Sequence, residues 1–410
     1  MSLEANYQRG AQLFDMGRYK DAIPYFNNAI ASNIDNYEAK FLLAQSYLQT
    51  DDLEKAESLT IELRGSVPNY SGVYYLLSQI YYTKENTNKA LEYINEAITL
   101  DPHDENYFGY KAFILIYKKD FENALLMANE GLKLNAKSRN CLNARATALT
   151  KLNRKEEAKE TIETLLNDDP ENSFSHANVG WSHLEHNDLP KALLHFKEAL
   201  KLDPNDNYAR NGMLTAVKAK NRVYNLYLRY AFWISNKSEK NQWLYIIGIY
   251  LVYRVFVKVL TASGLSILAI PLIVAYLLLA LGSWFMEPLS NMLLLFDNYG
   301  KYLLDKNSKL SGQILFALLV LALTTFLLSF LIENNYLILI SIASLAAILP
   351  LSRSPLISKK NNQIMGYAYG ALILLVAIIG SIIGYDYGTL LTIIAILFIA
   401  YTWLGNLLFS

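Results

Sequence analysis

The chain has 410 residues, 37 of them Lys or Arg against 37 Asp or Glu, so its formal net charge is zero and nothing global attracts nucleic acid. Its single cysteine, Cys141, excludes an intramolecular disulfide and any multi-cysteine metal site. The length suits two or more domains, and the average hides a partition: charges crowd the first 240 or so residues, while Leu, Ile, Val, Ala and Tyr dominate the rest.

The opening MSLEANYQRGAQLF has no apolar core of signal-peptide length, so the first half is expected to stay in the compartment where it is made. That half is periodic. Ala22, Ala56, Ala90, Ala124, Ala158 and Ala192 are spaced 34 residues apart. Gly10, Ala44, Ser78, Ala112, Ala146 and Gly180 form a second small-residue series at the same period. Pro68, Pro102, Pro170 and Pro204 form a third, interrupted by Ile34 and Ala136. A fixed period near 34 is the signature of a helix–turn–helix solenoid, and a small residue at one phase marks a close helix approach in every unit.

On these residues, positions 4 to about 205 resemble tetratricopeptide (TPR) repeats. Repeat three carries the resemblance with Tyr74, Leu77, Ser78, Tyr81, Ala90, Ala97 and Pro102; repeat one with Gly10, Gly17, Tyr19, Ala22, Phe26 and Ala29; repeat six with Gly180, Ala192, Phe196, Ala199 and Pro204. Leu63, Gly131 and Leu165 stand where the family prefers Ala. The resemblance implies an all-α superhelical solenoid of about six repeats plus a capping helix, over 1–221, whose first helices line a concave groove. By phase that groove presents Tyr7, Phe14, Phe41, Gln45, Tyr75, Gln79, Tyr82, Phe113, Tyr117, Asn143, Thr147 and Trp181. Relatives that hold chaperone tails use a Lys- and Arg-rich carboxylate clamp here, and this chain has none. Aromatic surface with neutral amides suits a protein or peptide segment with apolar anchors.

Other chemistry is sparse. His176, His183, His186 and His195 fall in repeat six, but at packing phases and near a helix end, so no metal site is expected. Cys141 sits at a packing phase and reads as an inert buried thiol. No zincin motif, phosphate-binding glycine loop or serine elbow occurs, and Asp168–Asp169 before Pro170 read as a helix-ending turn. No cofactor and no enzymatic activity are expected.

Residues 222–242, with RVYNLYLRYAFWISNK, form an aromatic and basic juxtamembrane linker that also suits a cap on the solenoid's open end. From 243 to 410 six apolar stretches approach the 20 or so residues that a bilayer core requires: 243–262, 265–285, 312–332, 336–351, 366–385 and 387–409. The first holds Arg254 and Lys258, the chain's intramembrane charges, with Glu333 or Asp386 as suggested partners for Arg254. Lys301, Lys306, Lys309, Arg353, Lys359 and Lys360 lie in alternate links, and the other links carry no base. This places the solenoid and both termini on the cytoplasmic side of a plasma (bacterial inner) membrane. If the first stretch only lies on the surface, five spans remain and the C-terminus moves outside. Near 287–305, Leu289, Met292, Phe296, Tyr299 and Leu303 recur at helical spacing, which suits an interfacial amphipathic helix or a lid under the bundle. The membrane half is similar to that of uncharacterised bacterial TPR–membrane proteins, a likeness that brings no chemistry with it. The expected function is a membrane-anchored adaptor, with the bilayer and other membrane proteins as further partners. The alternative is a membrane enzyme or transporter with a regulatory TPR arm.

Overall fold

The computed structural model describes residues 3–237, 239–280, 282–297 and 300–408, and every regular element among them is helical. The chain divides into two compact units, Met1–Gly212 and Met213–Ser410.

The first unit is a solenoid of six helix pairs. These are α1 (Leu3–Asp15) with α2 (Tyr19–Ser32), α3 (Tyr37–Gln49) with α4 (Leu53–Ser66), and α5 (Ser71–Thr83) with α6 (Thr87–Leu100). Then come α7 (Glu105–Tyr117) with α8 (Phe121–Leu134), α9 (Arg139–Lys151) with α10 (Lys155–Asp168), and α11 (Ser173–Glu185) with α12 (Leu189–Leu202). A thirteenth helix, α13 (Asn207–Lys218), opens in phase with the first helices. Because each first helix has 13 residues and each second has 14, the same face turns inward in every pair.

The turn inside each pair repeats in atomic detail. Gly17, Asp51, Glu85, Lys119, Asn153 and Asn187 all have φ between 59° and 71°. The next amide bonds back to the closing helix, as in Asp52 N–H to the Tyr47 carbonyl (2.9 Å) and Asp188 N–H to the His183 carbonyl (2.8 Å). This is a Schellman-type stop. The residue that makes it then opens the second helix: Asp52, Asn86 and Asp188 accept from the amides of Lys55, Lys89 and Lys191. Only the first repeat fills the left-handed position with Gly, and the others carry its steric cost.

The six-fold alanine series lies where the paired helices cross, and each of the six is at most 1% exposed. At the second small-residue series, a Cβ built on Gly10 would come within 2.8 Å of the Phe26 ring, and one on Gly180 within 2.8 Å of Phe196. Gly131 departs from the family's Ala because the Cys141 Sγ occupies the space an added methyl needs. Cys141 is fully buried, and its thiol reaches the Glu105 carbonyl at 3.3 Å. Gly131→Ala is therefore expected to destabilise the protein by about 1–3 kcal/mol through overpacking. In a Cys141→Ala background the same change should cost much less, giving a coupling of about 0.5–3 kcal/mol in a thermal-unfolding double-mutant cycle.

The second unit contains α14 (Arg222–Ser235), α15 (Glu239–Ala262), α16 (Ser266–Ala280), α17 (Gly282–Leu295), α18 (Gly300–Leu303), α19 (Lys306–Ile332), α20 (Asn335–Arg353), α21 (Lys360–Ile383) and α22 (Tyr387–Leu408). Among the described residues, three segments are long and apolar enough to cross a membrane: Lys306–Ile332, Asn335–Leu356 and Lys360–Ile383. This corrects the expected six. Helix α16 is described over Ser266–Ala280, with Pro271 inside it. Helix α15 has length but includes Arg254 and Lys258, and α22 is helical over Tyr387–Leu408, with its side chains described through Trp403.

The stretch expected as one interfacial helix over 287–305 is divided between α17 and α18, and Pro288 lies inside α17. Helix α17 packs into the bundle: a Cβ on Gly312 of α19 would meet the Met292 nitrogen at 2.7 Å. Tyr299, Phe409 and the side chains of Lys240, Trp243 and Leu303, which the sequence reading uses, lie outside the described residues. Arg254 is exposed, with its guanidinium 5.9 Å from the Tyr250 ring, and Lys258 is exposed beside it. Neither suggested partner meets Arg254. Asp386 instead caps α22 through the Thr389 amide (2.8 Å) and hydroxyl (2.9 Å), and Glu333 closes α19 in the left-handed conformation.

Candidate protein-binding face of the solenoid

Two clefts open among the first helices. The first, of about 520 Å³, is lined by Tyr7, Tyr37, Glu38, Phe41, Leu42, Leu63, Val67, Tyr70 and Val73. The Phe41 and Tyr70 rings meet edge to face at 5.4 Å, and the Tyr7 hydroxyl donates to Glu38 at 3.2 Å. Burial and the neighbouring Glu38 carboxylate hold the Tyr7 hydroxyl above its usual pKa. An apolar floor with one carboxylate at its rim favours an aromatic or aliphatic anchor that carries a donor or a positive charge.

The second cleft, of about 550 Å³, is lined by Glu105, Asn106, Asn135, Lys137, Ser138, Arg139, Asn140, Asn143, Asn172 and Phe174. Its two cations are already paired, Lys137 with Asp168 (3.1 Å) and Arg139 with Asp169 (2.7 Å). The cleft therefore offers amides and the Glu105 carboxylate rather than free cations. Asn140 donates to the Asn106 carbonyl oxygen at 3.0 Å, and Asn143 donates to Ser175 at 3.1 Å. Side-chain amides can both donate to and accept from an extended peptide backbone.

Tyr7, Phe41 and Asn143 of the expected groove line these clefts, although Asn143 is only 2% exposed and its amide is occupied within the solenoid. The remaining aromatics are joined in chains. Tyr75 and Tyr82 both pack on Tyr110 (5.2 and 6.0 Å), and Tyr82 continues to Tyr117 at 5.5 Å. Burial pushes the Tyr75 hydroxyl up to about 12, with Gln79 within hydrogen-bonding reach. Phe113 meets Phe174, Phe174 meets Tyr208, and Tyr208 meets Trp181, whose buried Nε1 has no hydrogen-bond partner. Tyr117 is 56% exposed at the end of its chain. Gln45 is half-buried, Phe14 packs on Tyr19 and Phe26, and Thr147 reaches Asn178 at 3.2 Å.

The sequence reading missed Tyr37, Glu38, Tyr70, Asn106, Asn140 and Phe174. A signal was present, because Glu38, Asn106, Asn140, Phe174 and Tyr208 share one phase of the 34-residue period, the second position of each first helix.

Away from the clefts, the repeat-six histidines form one cluster. His176 Nε2 lies 2.9 Å from the Pro170 carbonyl, which only accepts, so this nitrogen carries the proton. His195 Nδ1 must then donate to His176 Nδ1 across 3.2 Å. His183 packs on the other side of His195 at 5.5 Å and faces Asp188 at 3.6 Å, and His186 bonds the Ser182 carbonyl at 2.9 Å. Burial, reinforced by His183, His176 and Lys191 and opposed by Asp188, pushes His195 down to about 4. A histidine depressed in the folded state stabilises the fold fully above its unfolded value, near 6.5, and loses that contribution as pH falls toward 4. The unfolding midpoint is expected to drop between pH 7 and pH 5, and His195→Phe should flatten that slope in thermal melts across the range.

The first unit is thus a helical-repeat solenoid with ligand-sized clefts on its first helices, of the class that binds other proteins. Residues 13–71, 71–104 and 173–206 match tetratricopeptide-repeat families. The repeats are tetratricopeptide repeats, a protein-interaction scaffold, followed in the chain by three helices apolar enough to cross a membrane.

A stretch of 95 residues is 33% identical to human Protein O-mannosyl-transferase TMTC1. It covers 23% of this chain and 11% of that protein, so the chain matches about a tenth of its relative's length. That transferase overturns the expectation that the chain is not an enzyme, since a missing catalytic motif in this sequence does not license the exclusion. Among solved structures, Pseudomonas aeruginosa PilF is 16% identical with a TM-score of 0.42, covering 51% of this chain and 95% of that one. The Cut9–Hcn1 tetramer of the APC/C is 18% identical with a TM-score of 0.46, covering 52% and 43%.

Proposed function

We propose that this protein is a membrane-anchored adaptor that holds a segment of a partner protein on the first helices of its solenoid. The observation that carries this reading is the pairing of two clefts of different chemistry on those helices: an aromatic one with Glu38 at its rim, and an amide one whose cations are neutralised internally. The segment that fits has an apolar anchor near a basic or donor side chain, and a stretch of exposed backbone for the asparagines. Tyr37 and Tyr70 are 37% and 49% exposed, so Tyr37→Ala with Tyr70→Ala should leave the fold intact. The double variant is expected to lose at least about tenfold in partner recovery from detergent extracts, as befits two aromatic anchors. Recovery equal to that of Ile61→Ala, a second-helix surface control, would refute the cleft.

Apolar surface on the long helices supports the anchoring: Leu331, Ile382 and Ile383 are each more than 70% exposed in the isolated chain. Charge supports an orientation. Lys306, Arg353, Lys359 and Lys360 mark one end of the three long helices, while the opposite ends near Glu333 and Asp386 carry no base. By the positive-inside rule the basic end faces the cytoplasm, in a bacterium beneath the inner membrane. A cysteine placed at Asn334 is expected to react with an impermeant maleimide in intact cells and one at Asn361 only after lysis; the reverse pattern inverts the topology. Buried Cys141 provides little background.

A second reading draws on the O-mannosyl-transferase match. There the solenoid presents a protein segment for glycosylation, and the bound partner would carry added hexose in intact-mass spectra.

A further inference from the structure

The second unit hides polar groups at the basic end of its long helices. Arg353, in the last turn of α20, stacks its guanidinium 5.1 Å from the Trp284 ring of α17. Its Nη1 is buried and has no hydrogen-bond partner, and no carboxylate pairs with it among the described residues. Tyr401 of α22, 1% exposed, has its hydroxyl within hydrogen-bonding reach of the same guanidinium and its ring 6.1 Å from Trp284. Around the junction of α19 and α20, Ser311, Ser352 and Ser354 are wholly buried, and each satisfies its hydroxyl on a backbone carbonyl. On α17, which packs on α19, Asn291 is also wholly buried, with neither amide atom satisfied.

An Arg at a span end ordinarily carries its head out to water. Here one arm of the head is turned inward and enclosed. An enclosed donor on a permanent cation is costly unless an anion meets it. The serine hydroxyls donate to backbone carbonyls and none of their oxygens meets Nη1, while Trp284 supplies only its ring face and the Tyr401 hydroxyl leaves that nitrogen unmet. What the guanidinium lacks is an oxyanion that it can hold through two parallel N–H groups, and phosphate matches that fork.

We propose that Arg353, walled by Trp284 and Tyr401, binds a phosphate group at the basic end of the apolar helices. A phospholipid headgroup is the source that the flanking apolar surface favours, which rests on the bilayer reading above; a free phosphate shares the chemistry. The guanidinium takes two phosphate oxygens, with the Trp284 ring against one side of it and Tyr401 beside it.

The full-length protein, purified in mild detergent and stripped of lipid, tests this by thermal unfolding against three additives. These are dioleoylphosphatidylglycerol, dioleoylglycerol with the same tails and no phosphate, and inorganic phosphate alone. Phosphatidylglycerol is expected to raise the midpoint by roughly 3 °C or more above dioleoylglycerol. Arg353→Gln should abolish that increment, while Lys359→Gln with Lys360→Gln retains it. Should Arg353→Gln fail to fold, Arg353→Lys serves, since it keeps the charge without the fork and should show a clearly smaller increment. An equal increment from inorganic phosphate alone assigns the site to free phosphate. Equal responses to the two lipids with none to phosphate, or an undiminished increment in the Arg353 variant, overturn the proposal. A chain that stays in solution without detergent defeats the bilayer reading, and the inorganic-phosphate arm then decides the site by itself.

Discussion

The solenoid depends on one constraint: where the two helices of each pair cross, there is room for a methyl group and no more. Ala22, Ala56, Ala90, Ala124, Ala158 and Ala192 fill that position and are all but absent from the surface. Close approach there lets larger side chains interdigitate on either side. Phe26 lies over Gly10, and Phe196 over Gly180. Gly131 and Cys141 show the constraint operating as a volume, since the atoms missing from one residue reappear in the other.

The same constraint made half of the fold legible. A residue limited by size leaves a trace in sequence that survives whatever happens on the surface, and three such series fixed the period, the phase and the pairing of helices. The left-handed turn left no comparable trace. Gly17, Asp51, Glu85, Lys119, Asn153 and Asn187 share one backbone conformation and almost no side-chain chemistry. The turn's geometry is imposed by the helices it joins, and the cost of φ > 0 is small beside the packing it permits.

Legibility fell where hydrophobicity alone had to decide. Runs of Leu, Ile and Val mark a span only when no charge interrupts them along the helix, and α15 carries Arg254 and Lys258 within its run. The intramembrane charges were read from sequence position too: Arg254 drew attention for lying inside an apolar run, but it is exposed on α15. Arg353 was read only as one of the basic link residues that set the orientation, although its buried nitrogen is the more unusual feature. Depth in the sequence and depth in the structure differ, and only packing from α17 and α22 encloses Arg353.

In the clefts, the legible part was residue type and the illegible part was what those residues already hold. Aromatics at the first-helix phases were visible, but Tyr75, Tyr82, Phe113 and Trp181 serve one another before any ligand. The charges follow the same logic. Lys84 pairs with Glu57, Lys137 with Asp168 and Lys151 with Glu185, each bridging neighbouring repeats, and Arg139 pairs with Asp169 within its own repeat. Cations that tie one unit to the next cannot also clamp a carboxylate without loosening the stack. A one-dimensional array is only as stable as its nearest-neighbour contacts, so under the proposed reading recognition falls to side chains with exposure to spare, such as Tyr37 and Tyr70 at the rim of the first cleft.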